Sequence, residues 1–277
     1  MTRPVVLKFG GELLEDRGRL ATVVRAVAGI AAAAPDLPLV IVHGGGKEID
    51  AALKRAGIEK RQVDGLRITD PATLDVVVAV LAGTINTRLA AALNAAGVRA
   101  VGLTGADANI GLSTAAPPHR AVDGRSIDLD RVGIPADASE TALLETLLRD
   151  RFVPVVACIG VDAGGQLFNV NADTLAGHLA ARLRARRLVI AGTTPGVLDR
   201  GGATVALLES PAIARLVDDG TATAGMIAKL RACSHALDSG VDDVIIVDGR
   251  DGSALAEAAY ETPAPATRLV ATIERAS

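Results

Sequence analysis

Short aliphatic runs return along the chain, each followed by a longer amphipathic stretch, and this alternation limits the possible folds more than any other feature. Val5-Val6-Leu7, Leu39-Val40-Ile41-Val42, Val153-Pro154-Val155-Val156-Ala157-Cys158-Ile159, residues 187–191 and Val244-Ile245-Ile246-Val247 are nearly unbroken apolar segments. Strands of that kind are buried on both faces, as in parallel sheets. Helical periodicity lies between them, near 17–34, 46–56, 71–96, 139–150, 174–184, 209–219, 225–239 and 253–259. Further strands are expected near 100–103 and 268–273. The βαβ repetition predicts a parallel sheet covered on both faces, with right-handed crossovers. Residues 106–139, rich in Asp, Gly and Pro, read as a hairpin or lid.

Composition narrows the partners. Aromatic residues make up 1% of the 277 residues and Trp is absent, so the core is aliphatic and no base-stacking platform can form. The net charge of -3 comes with no basic stripe, which argues against a nucleic-acid partner. No run of about 18 uncharged apolar residues occurs, and a strand follows Arg3-Pro4 with no signal-peptide core between, so a cytoplasmic protein is expected. Cys158 and Cys233 form no CxxC pair and His43, His119, His178 and His235 show no metal-ligand spacing, so no protein-bound metal is expected.

Only five of the 29 basic residues are lysines: Lys8, Lys47, Lys54, Lys60 and Lys229. Lys8 ends an apolar run and precedes Gly10-Gly11, where a compact ammonium suits phosphate better than a planar fork. Gly44-Gly45-Gly46 and the pair Gly192 and Gly196 also follow predicted strands. The ligand crevice of an open parallel sheet lies outside the carboxyl ends of its strands, so the three clusters can line one cleft. At Gly44-Gly45-Gly46 a helix starts at once, which aims free N–H groups and a helix dipole at an anion, although a tight turn alone also selects glycine. Neither a P-loop nor a G-x-G-x-x-G fingerprint is present. His43-Gly44-Gly45-Gly46 echoes an esterase oxyanion loop, but the chain has no G-x-S-x-G elbow. In Asn169-Val170-Asn171-Ala172-Asp173 the last residue is an N-cap candidate, while the two Asn share a side of an extended segment and Asp173 can hold ammonium groups. Lys229 falls in the first turns of a helix, where the dipole mildly disfavours a cation. Arg67 offers a fork suited to a carboxylate.

Taken in order, Lys8-Phe9-Gly10-Gly11, Val42-His43-Gly44-Gly45-Gly46, Gly65-Leu66-Arg67-Ile68-Thr69-Asp70, Val101-Gly102-Leu103-Thr104-Gly105, Asn169-Val170-Asn171-Ala172-Asp173, Pro195-Gly196-Val197-Leu198-Asp199, Gly225-Met226-Ile227-Ala228-Lys229 and Asp248-Gly249-Arg250 resemble the amino-acid kinase family, and within it the branch that acts on N-acetyl-L-glutamate. The resemblance runs from Val5 to about Arg250. It implies a three-layer αβα sandwich with a mainly parallel central sheet. Residues 1–175 would form an N-terminal lobe for the acyl amino acid and for dimerisation, and 176–277 a C-terminal lobe for ATP. The implied reaction transfers the γ-phosphoryl group of ATP to the side-chain carboxylate of N-acetyl-L-glutamate, the second step of arginine biosynthesis. Lys8 and Lys229 would stabilise the moving charge and Asp173 would orient them. Gly44 and Gly45 would donate N–H groups to the reacting oxygens, with Gly10 and Gly11 supporting the phosphate region. Arg67, Asn169 and Asn171 would hold the acceptor, and Thr193 and Gly196 would line the nucleotide side. Mg²⁺ would arrive with ATP, held by phosphates and water.

The chain departs from the family pattern at Thr193, where an Asp is usual, and at Glu12-Leu13-Leu14, Lys47 and Ala224. A strand this close to Met1 leaves no room for the N-terminal helix of arginine-inhibited hexamers, so a homodimer is expected. The competing readings are a kinase for N-succinylglutamate or carrier-bound aminoadipate, and a ligand-sensing domain without catalysis.

Overall fold

The computed structural model describes residues 2–121, 124–218 and 224–272. In chain order it contains β1 (Val5–Phe9), α1 (Arg17–Ala33), β2 (Leu39–His43), α2 (Gly46–Arg55), β3 (Gln62–Val63), β4 (Leu66–Arg67) and α3 (Pro71–Val78). A π-helical segment, Ala79–Asn86, joins α3 to α4 (Thr87–Ala95), and β5 (Ala100–Thr104) follows. Four short strands come next: β6 (Ser113–Ala115), β7 (His119–Arg120), β8 (Ser126–Ile127) and β9 (Val132–Pro135). The chain continues through α5 (Ala142–Arg149), β10 (Val153–Ala157), β11 (Ile159–Val161), β12 (Leu167–Val170), α6 (Ala172–Arg182) and β13 (Arg187–Gly192). It closes with β14 (Leu207–Glu209), α7 (Ser210–Asp218), α8 (Ala224–Asp238), β15 (Asp243–Asp248), α9 (Gly252–Glu257) and β16 (Ala266–Val270).

Eight strands form the central sheet, in the order β14-β16-β15-β13-β1-β2-β10-β5. Its aliphatic strands are buried throughout: β1, β2, β10 and β13 have no residue outside the core class. Helices α1, α4 and α9 pack together in one layer and α6, α7 and α8 in another, as the unbroken apolar strands require. One edge breaks the expected parallel rule, because β16 runs antiparallel to β15 while β14 is parallel to β16. The last strand also ends earlier than its sequence pattern indicates, at Val270.

Chain order reverses at β1. Strands β2, β10 and β5 lie to one side and β13, β15, β16 and β14 to the other, so the carboxyl end of β1 marks the topological switch point. Lys8 stands level with Val42 of β2 and Ile190 of β13. The glycines that follow these strands are therefore neighbours.

Residues 106–139 hold β6 and β9, which join β11 and β12 in a second, four-stranded sheet, and the β7–β8 hairpin. His119 Nε2 ties that hairpin to Asp64 at 2.8 Å. Arg67 sits in the β3–β4 hairpin. Asp64 and Gly65 supply its two positive φ values, 47° and 80°, as a two-residue turn requires. The helix starts later, at Pro71, where Asp70 caps it by accepting from Thr73 N at 2.8 Å.

Candidate active site

Alternation along β1 sends Val5, Leu7 and Phe9 to one face and Val6 and Lys8 to the other. Helix α6 packs against β1 and presents Asp173 from its first turn. The Lys8 ammonium meets Asp173 Oδ1 at 2.8 Å, and Lys229 Nζ on α8 lies 3.2 Å from both carboxylate oxygens. The side chains of Lys8, Asp173 and Lys229 are 8%, 11% and 15% exposed.

The three charges are unequally placed. Burial works against ionised Asp173, but Lys8 and Lys229 outweigh it and hold the carboxyl below its ordinary pKa. Burial likewise works against charged Lys8, yet Asp173, with help from Glu12, raises its pKa above that of a free lysine. Lys229 goes the other way: burial first, and then repulsion by Lys8, lower its pKa more than Asp173 restores it. With both lysines protonated the cluster carries one excess positive charge, and each ammonium keeps N–H groups to spare after bonding Asp173. An arriving anion is the natural complement.

Helix α8 reaches α6 because Gly177 lets it. A Cβ built on Gly177 would lie 2.8 Å from the carbonyl oxygen of Ala232, so a side chain there would hold the helices apart. Gly177 is one turn beyond Asp173, and Ala232 three residues beyond Lys229. That close approach is absent from the sequence reading.

The glycine clusters converge as expected. Gly10 N–H donates to Ala191 O at 3.1 Å, Gly44 N–H to Phe9 O at 3.2 Å, and Gly249 N–H to Gly192 O at 2.8 Å. A Cβ on Gly11 would stand 2.6 Å from Gly45 Cα, so the two loops touch through their backbones. One expectation changes: with its N–H given to Phe9, Gly44 is not a free donor, and the open N–H groups are those of Gly45 and of the residues that begin α2. Glu12 folds over Gly10 and also faces Gly192, placing a carboxylate beside Lys8 where the sequence reading assigned none.

Arg67 and Asn169 are brought to one neighbourhood on the β2 side. Arg67 Nη2 bonds the Asp50 carboxylate and reaches Gly46 O at 3.4 Å, while its buried Nη1 has no hydrogen-bond partner among the described residues. Burial opposes the Asp50 charge, but Lys60 and Arg67 prevail and lower its pKa. Asn169 Nδ2 donates to Thr69 Oγ1 at 3.1 Å, two residues along from Arg67. Asn171 differs. It, and not Asp173, caps α6, with Oδ1 accepting from Asp173 N at 2.9 Å and Thr174 N at 3.1 Å, so its oxygen is committed to the backbone. Gly196 has a packing demand of its own, since a Cβ there would lie 2.4 Å from Thr267 Oγ1. Thr193, half-buried, follows Gly192 at the end of β13.

A surface cleft of about 840 Å³ between α1 and α9 lies away from these lysines, and its Arg250 is already paired with Asp248 at 2.6 Å.

A family model for the amino acid kinase family matches residues 3–248, nearly the whole of the chain. The chain belongs to the amino acid kinase family. Among curated relatives, the acetylglutamate kinase of Rhodopseudomonas palustris is 41% identical over 251 residues, covering 89% of this chain and 83% of that protein. The acetylglutamate kinase of Methylobacterium nodulans is 39% identical over 251 residues, covering 89% and 81%. Solved structures share the fold at lower identity. N-acetylglutamate synthase of Neisseria gonorrhoeae superposes with a TM-score of 0.82 at 23% identity, over 98% of this chain and 60% of that one. Giardia carbamate kinase gives 0.66 at 16% identity, over 98% and 99%.

Proposed function

We propose that the protein transfers the γ-phosphoryl group of ATP to the side-chain carboxylate of N-acetyl-L-glutamate. The observation that carries the reading is the Lys8–Asp173–Lys229 cluster at the switch point, framed by touching glycine loops. Phosphoryl transfer needs positioning and charge stabilisation and no protein nucleophile, and the cluster supplies two ammonium groups held by one carboxylate. Relatives near 40% identity named acetylglutamate kinase supply the acceptor. Arg67 Nη1, unpartnered among the described residues, and the amide of Asn169 suit its α-carboxylate and acetamido ends.

In this reading residues 1–175 form the acceptor lobe and 176–277 the nucleotide lobe, meeting at β1. ATP brings the phosphoryl group, and its Mg²⁺ offsets phosphate charge. Among the described residues no cluster of three or more His, Cys, Asp or Glu could hold a metal, so phosphates and water would carry that ion. A homodimer through the helical stretch Pro71–Ala95 fits its apolar length, of which only 44% of the most apolar window is buried within one chain. By length and composition that stretch could also cross a membrane, but it packs on α2, β5 and β10 as a core helix does. A cytoplasmic enzyme drawing on cellular ATP agrees with this packing.

A hydroxamate assay with ATP and N-acetyl-, N-succinyl- or free glutamate tests the proposal. Turnover should be fastest by far on N-acetylglutamate. Preference for N-succinylglutamate, or no turnover on any acceptor, would overturn it in favour of the related kinase or the sensor respectively.

A further inference from the structure

We propose that Asn86 and His43 form a buried positioning clamp that aims the Gly45 N–H into the phosphoryl-transfer cleft. The inference rests on the reading above of the glycine loop as a phosphate cradle. His43 ends β2 and is fully buried, and Asn86, at the close of the π-helical segment, is 4% exposed. Asn86 Nδ2 lies 2.8 Å from Val155 O, 3.2 Å from Leu103 O and 3.0 Å from His43 Nε2. Two carbonyl partners identify that atom as the amide nitrogen, which can only donate, so His43 Nε2 is on the accepting side and the two N–H groups are shared among three acceptors. The remaining proton then sits on Nδ1, which donates to Gly44 O at 3.2 Å.

The peptide plane transmits the result. Gly44 C=O and Gly45 N–H belong to one trans-planar unit, so holding the oxygen toward the buried imidazole turns the N–H the opposite way, toward the cleft. The same π-helical segment supports the loop from below. A Cβ on Gly45 would stand 2.2 Å from Ile85 Cδ1 and 2.9 Å from Leu81 Cδ2. Asn86 in turn needs Gly102, whose added Cβ would fall 2.2 Å from Oδ1. Widened π turns recur at functional positions, and this one delivers Ile85 and Asn86 together. Burial holds His43 neutral, with its pKa lowered to about 4.

Two kinds of measurement test the clamp on the full-length protein. Nitrogen-15 NMR of histidine-labelled enzyme should show His43 as the neutral Nδ1–H tautomer at pH 7; an Nε2–H tautomer would overturn the proposal even if no variant folds. Kinetics should separate two substitutions by the nitrogen each one mimics. His43→Asn keeps a donor at the Nδ1 position and should retain kcat within about threefold, whereas His43→Gln and Asn86→Leu should lose about 10²-fold, the cost of a ~1 Å misplacement, with KM for ATP unchanged. Equal kcat for folded His43→Asn and His43→Gln would sink the clamp. Wild-type enzyme that turns over no acceptor while showing the Nδ1–H tautomer would count against the acetylglutamate reading and in favour of the clamp's geometry.

Discussion

The sheet carries two clusters in which one aspartate holds two cations, and they lie toward opposite ends of its strands. Toward the carboxyl ends, Asp173 holds Lys8 and Lys229. At the amino ends of β13 and β15, Asp243 holds Arg187 through a fork of 2.7 and 2.6 Å, and Arg268 at 2.9 Å. Arg187 Nη1 also donates to Ala258 O at 3.0 Å and Glu261 O at 2.7 Å. The arginine cluster spends its donors inside the protein and ties β13, β15 and the chain after α9 together. The lysine cluster leaves N–H groups unspent at the switch point. Of these two clusters, lysine forms the one with N–H groups to spare, and arginine the one whose fork is bonded within the fold.

Exchange of each aspartate should break the symmetry most. Asp173→Asn leaves two buried ammonium groups facing each other, and kcat should fall by on the order of 10³-fold. Asp243→Asn should destabilise by about 3–5 kcal/mol in urea titrations, while the molecules that remain folded turn over at the wild-type rate. Equal loss of kcat per folded molecule in both variants would erase the distinction. Exchanging the cations comes next. Lys8→Arg should cost about 10²–10³ in kcat with little change in Tm, whereas Arg187→Lys, which loses the fork, should cost about 1–3 kcal/mol of stability and leave kcat alone. Raising the pH should then divide the lysines. Lys229, with its pKa lowered, loses its proton before Lys8, so kcat should fall on an alkaline limb that begins below 10.5. Lys8 has its pKa raised, so its contribution to stability is complete below 10.5 and disappears only as the pH rises through the higher folded value. A kcat flat to pH 10.5 would show that the proton on Lys229 is not needed.

The contrast also explains what could be read in the sequence. Strands such as Val5–Phe9 and Arg187–Gly192 announce themselves because burial on both faces demands unbroken aliphatic runs, and glycines at their ends mark the cleft. Lys8 stands beside such glycines, while the pairing of Asp173 and Lys229 with it was implied by the resemblance of their segments to the amino-acid kinase family. Asp64-Gly65 carried a two-residue hairpin signal that the helical pattern beyond it obscured. The antiparallel β16 was hidden because strand direction depends on a connection, not on a residue pattern. Asn86 and Asp50 were hidden for another reason: a polar residue in a helical stretch looks solvated until the partners it meets, His43 and Arg67, are folded against it. Contacts at long sequence separation leave no local trace.

Gly177 is the smallest change that should still register in the lysine cluster. An alanine there gains helix propensity of up to ~1 kcal/mol within α6. Its Cβ, however, would meet the carbonyl oxygen of Ala232 at 2.8 Å, and a backbone oxygen inside a helix cannot swing aside as a side chain can. Helix α8 has to shift, and with it Lys229, whose two 3.2 Å contacts to Asp173 have less to lose than the 2.8 Å contact of Lys8 before they fail. Gly177→Ala should therefore lower kcat by roughly tenfold, as expected for a displacement well under the ~1 Å that costs 10²-fold. Its Tm should move little, because propensity and strain oppose each other. Arg187 and Asp243 lie outside α6 and α8, so their cluster should not sense the change. A Gly177→Ala enzyme with wild-type kcat would mean that Lys229 tolerates looser placement than Lys8, and that the lysine cluster works mainly through β1.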